Sequence, residues 1–273
     1  MVSTARQPRH RRAISAGRFL RTAGRAGFTA RGVVYVVIGY LALRIALDGA
    51  GPDEADRAGA LRQIADRPGG RMLLWLLVLG FGCMAVWRAA SAGSRGGERR
   101  KAGTRLLDAG RAVFYASVCW GTAAFAAGSG GASGSDRTSK DWTASALGLP
   151  GGRLLVGAAG AVLVGVGVAV AVRAALRTFL RRLDTAAMAP RTRTAVTAGG
   201  VAGNTARGAV FAGVGVFVVT AAARFDPDRA KGIDDTLRSF AATPAGPWLL
   251  AGVALGLLLF GVFSFVCARW RRF

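Results

Sequence analysis

Six apolar stretches alternate with polar segments along this chain. They cover residues 30–47, 71–88, 111–127, 153–173, 206–223 and 247–268. A bilayer core of about 30 Å needs roughly 20 helical residues, and a soluble amphipathic helix would show a polar face at every turn. The stretch at 153–173 shows no such face. The pattern therefore predicts six transmembrane helices, of which the shorter first, third and fifth gain length from flanking small residues and an arginine that reaches the lipid headgroups.

The pattern repeats three times. The segment Ala30–Tyr35 returns as Gly110–Tyr115 and again as Ala206–Phe211. A proline-containing turn follows each copy, at 37, 39 and 37 residues after the arginine of the segment. Each unit holds two apolar stretches, so the units are parallel repeats, each a helical hairpin. The predicted organisation is a disordered basic tail and three hairpins, at residues 1–17, 18–95, 104–182 and 198–273.

A short amphipathic segment lies between the two apolar stretches of each unit. Residues 60–65 correspond to residues 236–241, and in the first of these Leu61, Ile64 and Ala65 share one helical face. We expect a short helix there, ended by the proline–glycine turn. The middle unit has a weaker version, preceded by a glycine- and serine-rich linker at 128–135.

Charge distribution predicts the orientation. The net charge is +23, with 37 basic and 14 acidic residues. In a soluble protein this excess would suggest nucleic-acid binding. Here 25 of the 37 basic residues lie in the two terminal segments and in the connections between units, whereas 11 of the 14 acids lie in the loops within units. The positive-inside rule then places both termini in the cytoplasm, and the expected contacts are anionic lipid headgroups and no nucleic acid.

The arginine of each repeat is the first candidate functional group. Arg31, Arg111 and Arg207 each stand at the start of an apolar stretch. The simpler interpretation is an anchor whose guanidinium reaches the headgroups at the cytoplasmic end of its helix, or a partner there. The other interpretation places three guanidinium groups around a pore mouth or a phosphate site, if the hairpins form a ring.

Small residues at four-residue spacing form a second candidate feature. This spacing lets helix backbones approach closely. We predict packing within the chain as its use, with a homo-oligomer face as the alternative. The residues are Gly157, Ala161, Gly165, Ala169, Gly252 and Gly256.

The sequence holds no pattern that predicts catalysis, a metal or a cofactor. The only histidine, His10, lies in the tail, and the three cysteines lie in predicted spans, where small packing residues are expected. The acids of 226–235 lack the spacing of a calcium loop and are predicted to be solvated. No acid lies in the middle of a span, which argues against proton-coupled transport.

Four segments carry a likeness to a known family: residues 30–35, 59–65, 150–155 and 225–228. They resemble a bacterial integral membrane family of unknown function, defined by a pair of transmembrane helices that occurs three times per chain. The likeness covers residues 18–273 and implies no catalytic or ligand residues. We therefore expect an all-α, polytopic protein of the bacterial plasma membrane, a non-enzymatic scaffold that binds lipid or a partner protein. The alternative is a small-solute channel or permease.

Overall fold

The computed structural model describes residues 7–48, 54–93, 102–128, 135–241 and 246–271. Within these ranges the chain folds into α-helices, three per repeat, with short 3₁₀ turns in the connections. The helices are α1 (Gln7–Asp48), α2 (Arg57–Ala65), α3 (Gly70–Gly93), α4 (Ala102–Ala126), α5 (Ser135–Leu147), α6 (Gly152–Ala175), α7 (Pro190–Arg224), α8 (Ile233–Ala241) and α9 (Gly246–Trp270).

Each of the six predicted spans coincides with a long helix, and only Ala127 of the third span lies past the end of its helix. Within the described ranges, five segments are long and apolar enough to cross a membrane: Phe19–Leu47, Gly70–Gly93, Gly152–Ala175, Pro190–Arg224 and Gly246–Trp270. Helix α4 has the length, but glycines, hydroxyl residues and the charged pair Asp108 and Arg111 dilute its apolar content. The structure therefore confirms an all-α protein with several membrane-spanning candidates.

The short helices α2, α5 and α8 confirm the prediction for the loops within units. Asp56 starts α2 because its Oδ1 accepts a hydrogen bond from the Gly59 amide at 2.9 Å, a common helix N-cap. Leu61 of α2 and Leu237 of α8 are fully buried. After α2 and α5, the turns place Gly69 and Gly151 at φ near +75°, a region that glycine enters without steric cost.

The amino-terminal prediction needs a correction. Helix α1 begins at Gln7, so residues 7–17 are helical and continue directly into the first apolar stretch. The expected disordered tail is therefore wrong for these residues, because a single long helix extends beyond the apolar segment. Residues 1–6, most of the predicted linker (129–134) and the turn at 242–245 lie outside the described residues.

The long helices pack in the spatial order α4, α3, α1, α9, α7, α6. The two long helices of the second repeat thus lie at opposite ends of the series, one against repeat 1 and the other against repeat 3. The prediction of a helical hairpin is therefore wrong for the second unit (104–182), because its two long helices pack on the neighbouring repeats. Glycines make the closest crossings: a Cβ added at Gly167 of α6 would lie 2.5 Å from the Ala212 nitrogen of α7. Small residues let helix backbones approach to this degree in membranes.

The bundle has two chemically different ends. At the short-helix end, which carries α2, α5 and α8, the Ala55 amide donates a 2.7 Å hydrogen bond to Oδ1 of Asp234 and so joins repeat 1 to repeat 3. At the other end, called the arginine end, the α6–α7 connection meets the end of α9. There the Asp184 amide donates to the Trp270 carbonyl oxygen at 2.8 Å.

Candidate functional site

Five arginines from five different helical segments gather at the arginine end. Four lie in helices α1, α3, α4 and α7, and the fifth directly follows α9. They form the arginine cluster: Arg31, Arg88, Arg111, Arg207 and Arg271. Each stands where an apolar stretch begins or ends, so the pairing of antiparallel helices brings them to the same level of the bundle.

Aromatic rings hold two of the repeated arginines together. The guanidinium carbon of Arg31 lies 4.9 Å from the centroid of the Phe260 ring, and that of Arg207 lies 5.0 Å from the same centroid. Arg31 also lies over Phe28 at 4.6 Å, and Arg207 over Phe211 at 4.9 Å. Cation–π contacts of this kind stabilise a cation by about 0.5–2 kcal/mol, more where water is excluded. One phenylalanine of α9 therefore joins the arginines of repeats 1 and 3.

Polar contacts extend this centre to α4 and α9. Nε of Arg31 donates a 3.1 Å hydrogen bond to Oγ of Ser264. The hydroxyl of Tyr115, a residue that is only 8% exposed, lies within electrostatic reach of Arg31, Arg88 and Arg207. Tyr115 thus marks the point where repeat 2 meets the arginines of the other two repeats.

A shared carboxylate organises the repeat 2 side of the cluster. Oδ1 of Asp108 lies 3.1 Å from Nη1 of Arg88 and 3.2 Å from Nη1 of Arg111. The side chains of Arg88 and Asp108 are each 9% exposed, whereas that of Arg111 is 42% exposed. A buried charge of this kind is tolerated when it is paired. Arg111 is consequently much more open to the surroundings than Arg88, with which it shares Asp108.

Trp87 and Phe28 complete the far side of the cluster. Arg88 lies 4.5 Å from the Trp87 ring centroid, and Arg271 lies 5.1 Å from the same ring and 4.7 Å from that of Phe28. The two rings pack edge to face. The aromatic side chains thus separate neighbouring guanidinium groups while keeping them at the same level.

Within the described part of the chain, the cluster carries more positive charge than neighbouring carboxylates balance. Among the described residues, Asp108 is the only carboxylate within ion-pair distance of the five arginines. In addition, Nε of Arg88, of Arg207 and of Arg271 is buried without an acceptor in that part of the chain. Because more than about 90% of buried polar groups in native proteins are hydrogen-bonded, the arrangement is chemically suited to receive an anion.

The structure brings the three sequence-predicted arginines into one region. Arg31 and Arg207 turn towards Phe260, and Arg111 is joined to them through Asp108 and Arg88. Contact of any of them with lipid headgroups or a partner stays a prediction.

From the sequence, Arg88 and Arg271 are expected only to mark the cytoplasmic ends of their spans, and Asp108 is not singled out. Asp108 stands three residues before Arg111, a spacing that places both on one helix face, and this signal could have identified it. The sequence gives no comparable signal for Arg88 or Arg271, because their contacts come from other helices.

The prediction that the face of small residues packs within the chain is wrong for part of the set. Ala161, Gly165 and Ala169 lie on the exposed side of α6, and a Cβ added at Gly165 or Gly252 would meet nothing within 4 Å. Helix α6 instead meets α7 through Gly160, three residues after Gly157, and through Gly167, two residues after Gly165.

Two members of the predicted face do lie at contacts. A Cβ at Gly256 would collide with Ala206, and one at Gly157 would make an ordinary contact of 3.8 Å with Ala222. The homo-oligomer alternative for the exposed members stays a prediction.

The other candidate groups have structural roles. Asp226 pairs with Arg229 at 3.0 Å, and Asp234 pairs with Arg238 at 2.7 Å. The prediction of a solvated acid is wrong for Asp234, which is 4% exposed because it accepts the Ala55 amide hydrogen bond between repeats. The described residues contain no group of three or more metal-ligating side chains. The three cysteines are free thiols, of which Cys267 is buried.

Comparison with known proteins identifies the family. Residues 26–95, 109–177 and 202–271 each match the family described as Domain of Unknown Function (DUF1206). The chain belongs to this family. It is also 31% identical over 250 residues to an "Uncharacterized protein YxxB" of Bacillus subtilis (strain 168), a match that covers 90% of this chain and 89% of that protein. No solved structure matches the chain.

The family match agrees with the threefold repetition seen in the sequence and confirms that resemblance. Each matched stretch contains one of the repeated arginines near its start, Arg31, Arg111 or Arg207. The other two members of the arginine cluster, Arg88 and Arg271, lie near the end of the first stretch and at the end of the third. The cluster is therefore assembled from all three domains of the family.

Proposed function

We propose that this protein is a non-enzymatic scaffold of the bacterial plasma membrane. Its six long helices cross the bilayer, both termini lie in the cytoplasm, and its arginine end holds anionic lipid or an acidic surface of a partner protein. The observation that carries the proposal is the arginine cluster, in which five helical segments present guanidinium groups at one end of the bundle.

The charge distribution supports the orientation. Further exposed arginines lie at the arginine end, on the α6–α7 connection and at the start of α7, including Arg177, Arg181, Arg191 and Arg193. Lysine and arginine remain on the cytoplasmic side of membrane helices, and anionic lipids attract each surface cation by about 1 kcal/mol. A surface of this kind favours the binding of anionic lipid and the recruitment of acidic partner proteins.

The sixth span is α4. It has 25 residues, which gives about 37 Å at 1.5 Å per residue, enough for a hydrocarbon core of about 30 Å. It packs along α3, so part of its less apolar surface faces protein. Tyr115 and Val118 are buried, whereas Val113, Phe114 and Trp120 are exposed and can face lipid.

The experiment compares the natural chain with a variant in which Arg177, Arg181, Arg191 and Arg193 are all changed to glutamine. Each protein is isolated from bacterial membranes with its bound lipid and protein, which are identified and quantified by mass spectrometry. We expect the natural chain to retain anionic lipid or an acidic partner in stoichiometric amount and the variant to lose it. Equal retention by both proteins would contradict the proposal.

A flux measurement separates the scaffold from a transporter. The purified protein is placed in lipid vesicles and tested with a panel of small ions, sugars and amino acids. We expect flux equal to that of empty vesicles. Saturable flux of any solute would replace the scaffold by a channel or permease.

A further inference from the structure

We propose that the interior of the arginine cluster is a binding site for a phosphate group, centred on Arg31, Arg88, Arg207 and the Tyr115 hydroxyl. The inference deepens the proposed function, on which it rests for the role of the arginine end, and names the chemical class of the bound group. Its support comes from buried side chains rather than from the exposed arginines of the surface.

Convergence at Tyr115 is the first step of the argument. This side chain comes from α4, Arg31 from α1, Arg88 from α3 and Arg207 from α7. Arg31 and Arg207 lie 4.9 Å and 5.0 Å from the centroid of the same Phe260 ring, and all three arginines lie within electrostatic reach of the Tyr115 hydroxyl. Like charges gathered at one point repel each other, and low local polarity strengthens the repulsion. An anion bound among them relieves this repulsion.

Hydrogen-bonding capacity is the second step. Nε of Arg88 and Nε of Arg207 are buried donors without an acceptor among the described residues. A buried donor left unpaired destabilises the protein, and more so when it is charged. Both atoms belong to residues whose guanidinium carbons already lie over aromatic rings, so contacts with the rings stabilise the position of these guanidinium groups.

The number of cations selects the chemical class. The guanidinium fork matches both carboxylate and phosphate oxygens. A carboxylate carries one charge and two oxygens, and Asp108 already supplies one. A phosphate group carries up to two charges and several acceptor oxygens, which corresponds better to the guanidinium groups of Arg31, Arg88 and Arg207 together with a hydroxyl donor.

Two sources can supply this group. Lipid phosphates lie at the membrane boundary, the level at which the apolar stretches begin and where the arginine cluster stands. Free phosphate or a soluble phosphate ester can reach the same level from water. In either case, the 42% exposure of Arg111 marks the open side of the cluster.

The experiment measures phosphate binding to the full chain in two settings. In the first, the protein is held in nanodiscs of neutral phosphatidylcholine and titrated with inorganic phosphate by calorimetry. In the second, nanodiscs contain phosphatidylcholine with a graded fraction of phosphatidic acid, and the bound lipid is counted by native mass spectrometry. Saturable binding in the first setting identifies free phosphate, and selective retention in the second identifies a lipid headgroup.

Three variants change the site and one serves as control. Arg207→Gln removes a cation with an unpaired donor, and we expect at least a tenfold weaker phosphate affinity. Arg207→Lys keeps the charge without the fork, so its affinity should be intermediate. Asp108→Asn removes the competing carboxylate, so its affinity should rise above that of the natural chain. Arg173→Gln changes an exposed arginine of α6 at the same end, and its affinity should not change.

The direction of the Asp108→Asn effect separates a binding site from a purely structural cluster. Loss of structure would weaken binding, whereas removal of a competitor strengthens it. Correct folding of Arg207→Gln is checked by its helical circular dichroism and by elution as a single species. If that variant does not fold, Arg207→Lys and Asp108→Asn still decide the question.

The inference is overturned if neither phosphate source binds, or if Arg207→Gln and Arg173→Gln weaken binding equally. Its failure is distinguishable from failure of the scaffold. Without an interior phosphate site, the quadruple variant of the exposed arginines would still lose its partner. If the protein is not a scaffold but the phosphate site exists, phosphate would still bind, whereas the quadruple variant and the natural chain would retain the same lipid and protein.

Discussion

The α7–α9 crossing at Gly203 offers a sharp test of the packing. A Cβ added at Gly203 would lie 2.6 Å from the Phe260 nitrogen, 2.7 Å from its Cα and 2.9 Å from its Cβ. Unstrained non-bonded carbon atoms lie about 3.5–4.0 Å apart. The neighbouring atoms are mostly backbone, so the Gly203→Ala substitution must move the two helices apart by roughly 1 Å.

The expected magnitude follows from two opposing effects. Overpacking a well-packed contact costs about 1–3 kcal/mol. Replacing a glycine in a helix by alanine contributes up to about 1 kcal/mol in the favourable direction. Gly165→Ala in α6 serves as the matched control, because an added Cβ there meets nothing within 4 Å. The difference in unfolding free energy between the two variants therefore isolates the steric cost, and we expect about 1–3 kcal/mol.

The assay is reversible unfolding in mixed micelles with increasing dodecyl sulfate, followed by circular dichroism. We expect Gly203→Ala to unfold at a lower dodecyl sulfate fraction than Gly165→Ala. The Phe260 ring contacts both Arg31 and Arg207. Because Gly203→Ala displaces Phe260, it should also weaken phosphate binding. Equal stability of the two alanine variants would refute the close approach of α7 and α9.

Two further predictions use the same unfolding assay. Asp234→Ala removes the acceptor of the Ala55 amide and should cost about 1–3 kcal/mol, since a buried donor is left unpaired. Its control is Asp226→Ala, which breaks an exposed ion pair and should cost less than about 1 kcal/mol; equal costs would contradict the link between repeats 1 and 3. Gly151→Ala places a side chain at φ 76° and should cost about 1–2 kcal/mol. Its control is Gly148→Ala, where the added Cβ has only ordinary contacts and no such loss of stability is expected. If Gly151→Ala is as stable as the natural chain, the positive φ of this turn is contradicted.

Periodic features of the fold could be predicted from the sequence. The threefold repetition, the long helices and the short helices between them follow from apolar runs, helix caps and proline–glycine turns. These signals are local, and each is complete within a few tens of residues. The helix from Gln7 was missed because its first turns are basic and polar, and composition alone favours disorder for such a segment.

The arginine cluster could be predicted only in part. The repeated arginines are visible in sequence, but an apolar helix carries no polar face that fixes its rotation, so the direction of each guanidinium was not determined. For the same reason, the stripe that includes Gly165 was chosen for α6, whereas packing uses the stripe that includes Gly160 and Gly167. The pairing of Arg88 with Asp108 spans two helices and depends on their approach in space.

The central claim is that the arginine end of a membrane-embedded bundle lies in the cytoplasm. It is tested most directly with single cysteines in a variant whose natural cysteines are changed to alanine. Ser145→Cys places a thiol on α5 at the short-helix end, and Arg177→Cys places one on the exposed α6–α7 connection. Intact cells are treated with a maleimide that cannot cross the membrane, before and after permeabilisation.

The account predicts that Ser145→Cys is labelled in intact cells and that Arg177→Cys is labelled only after permeabilisation. Labelling of Arg177→Cys in intact cells would contradict the orientation. Recovery of the protein in the soluble fraction without detergent would contradict its place in the membrane.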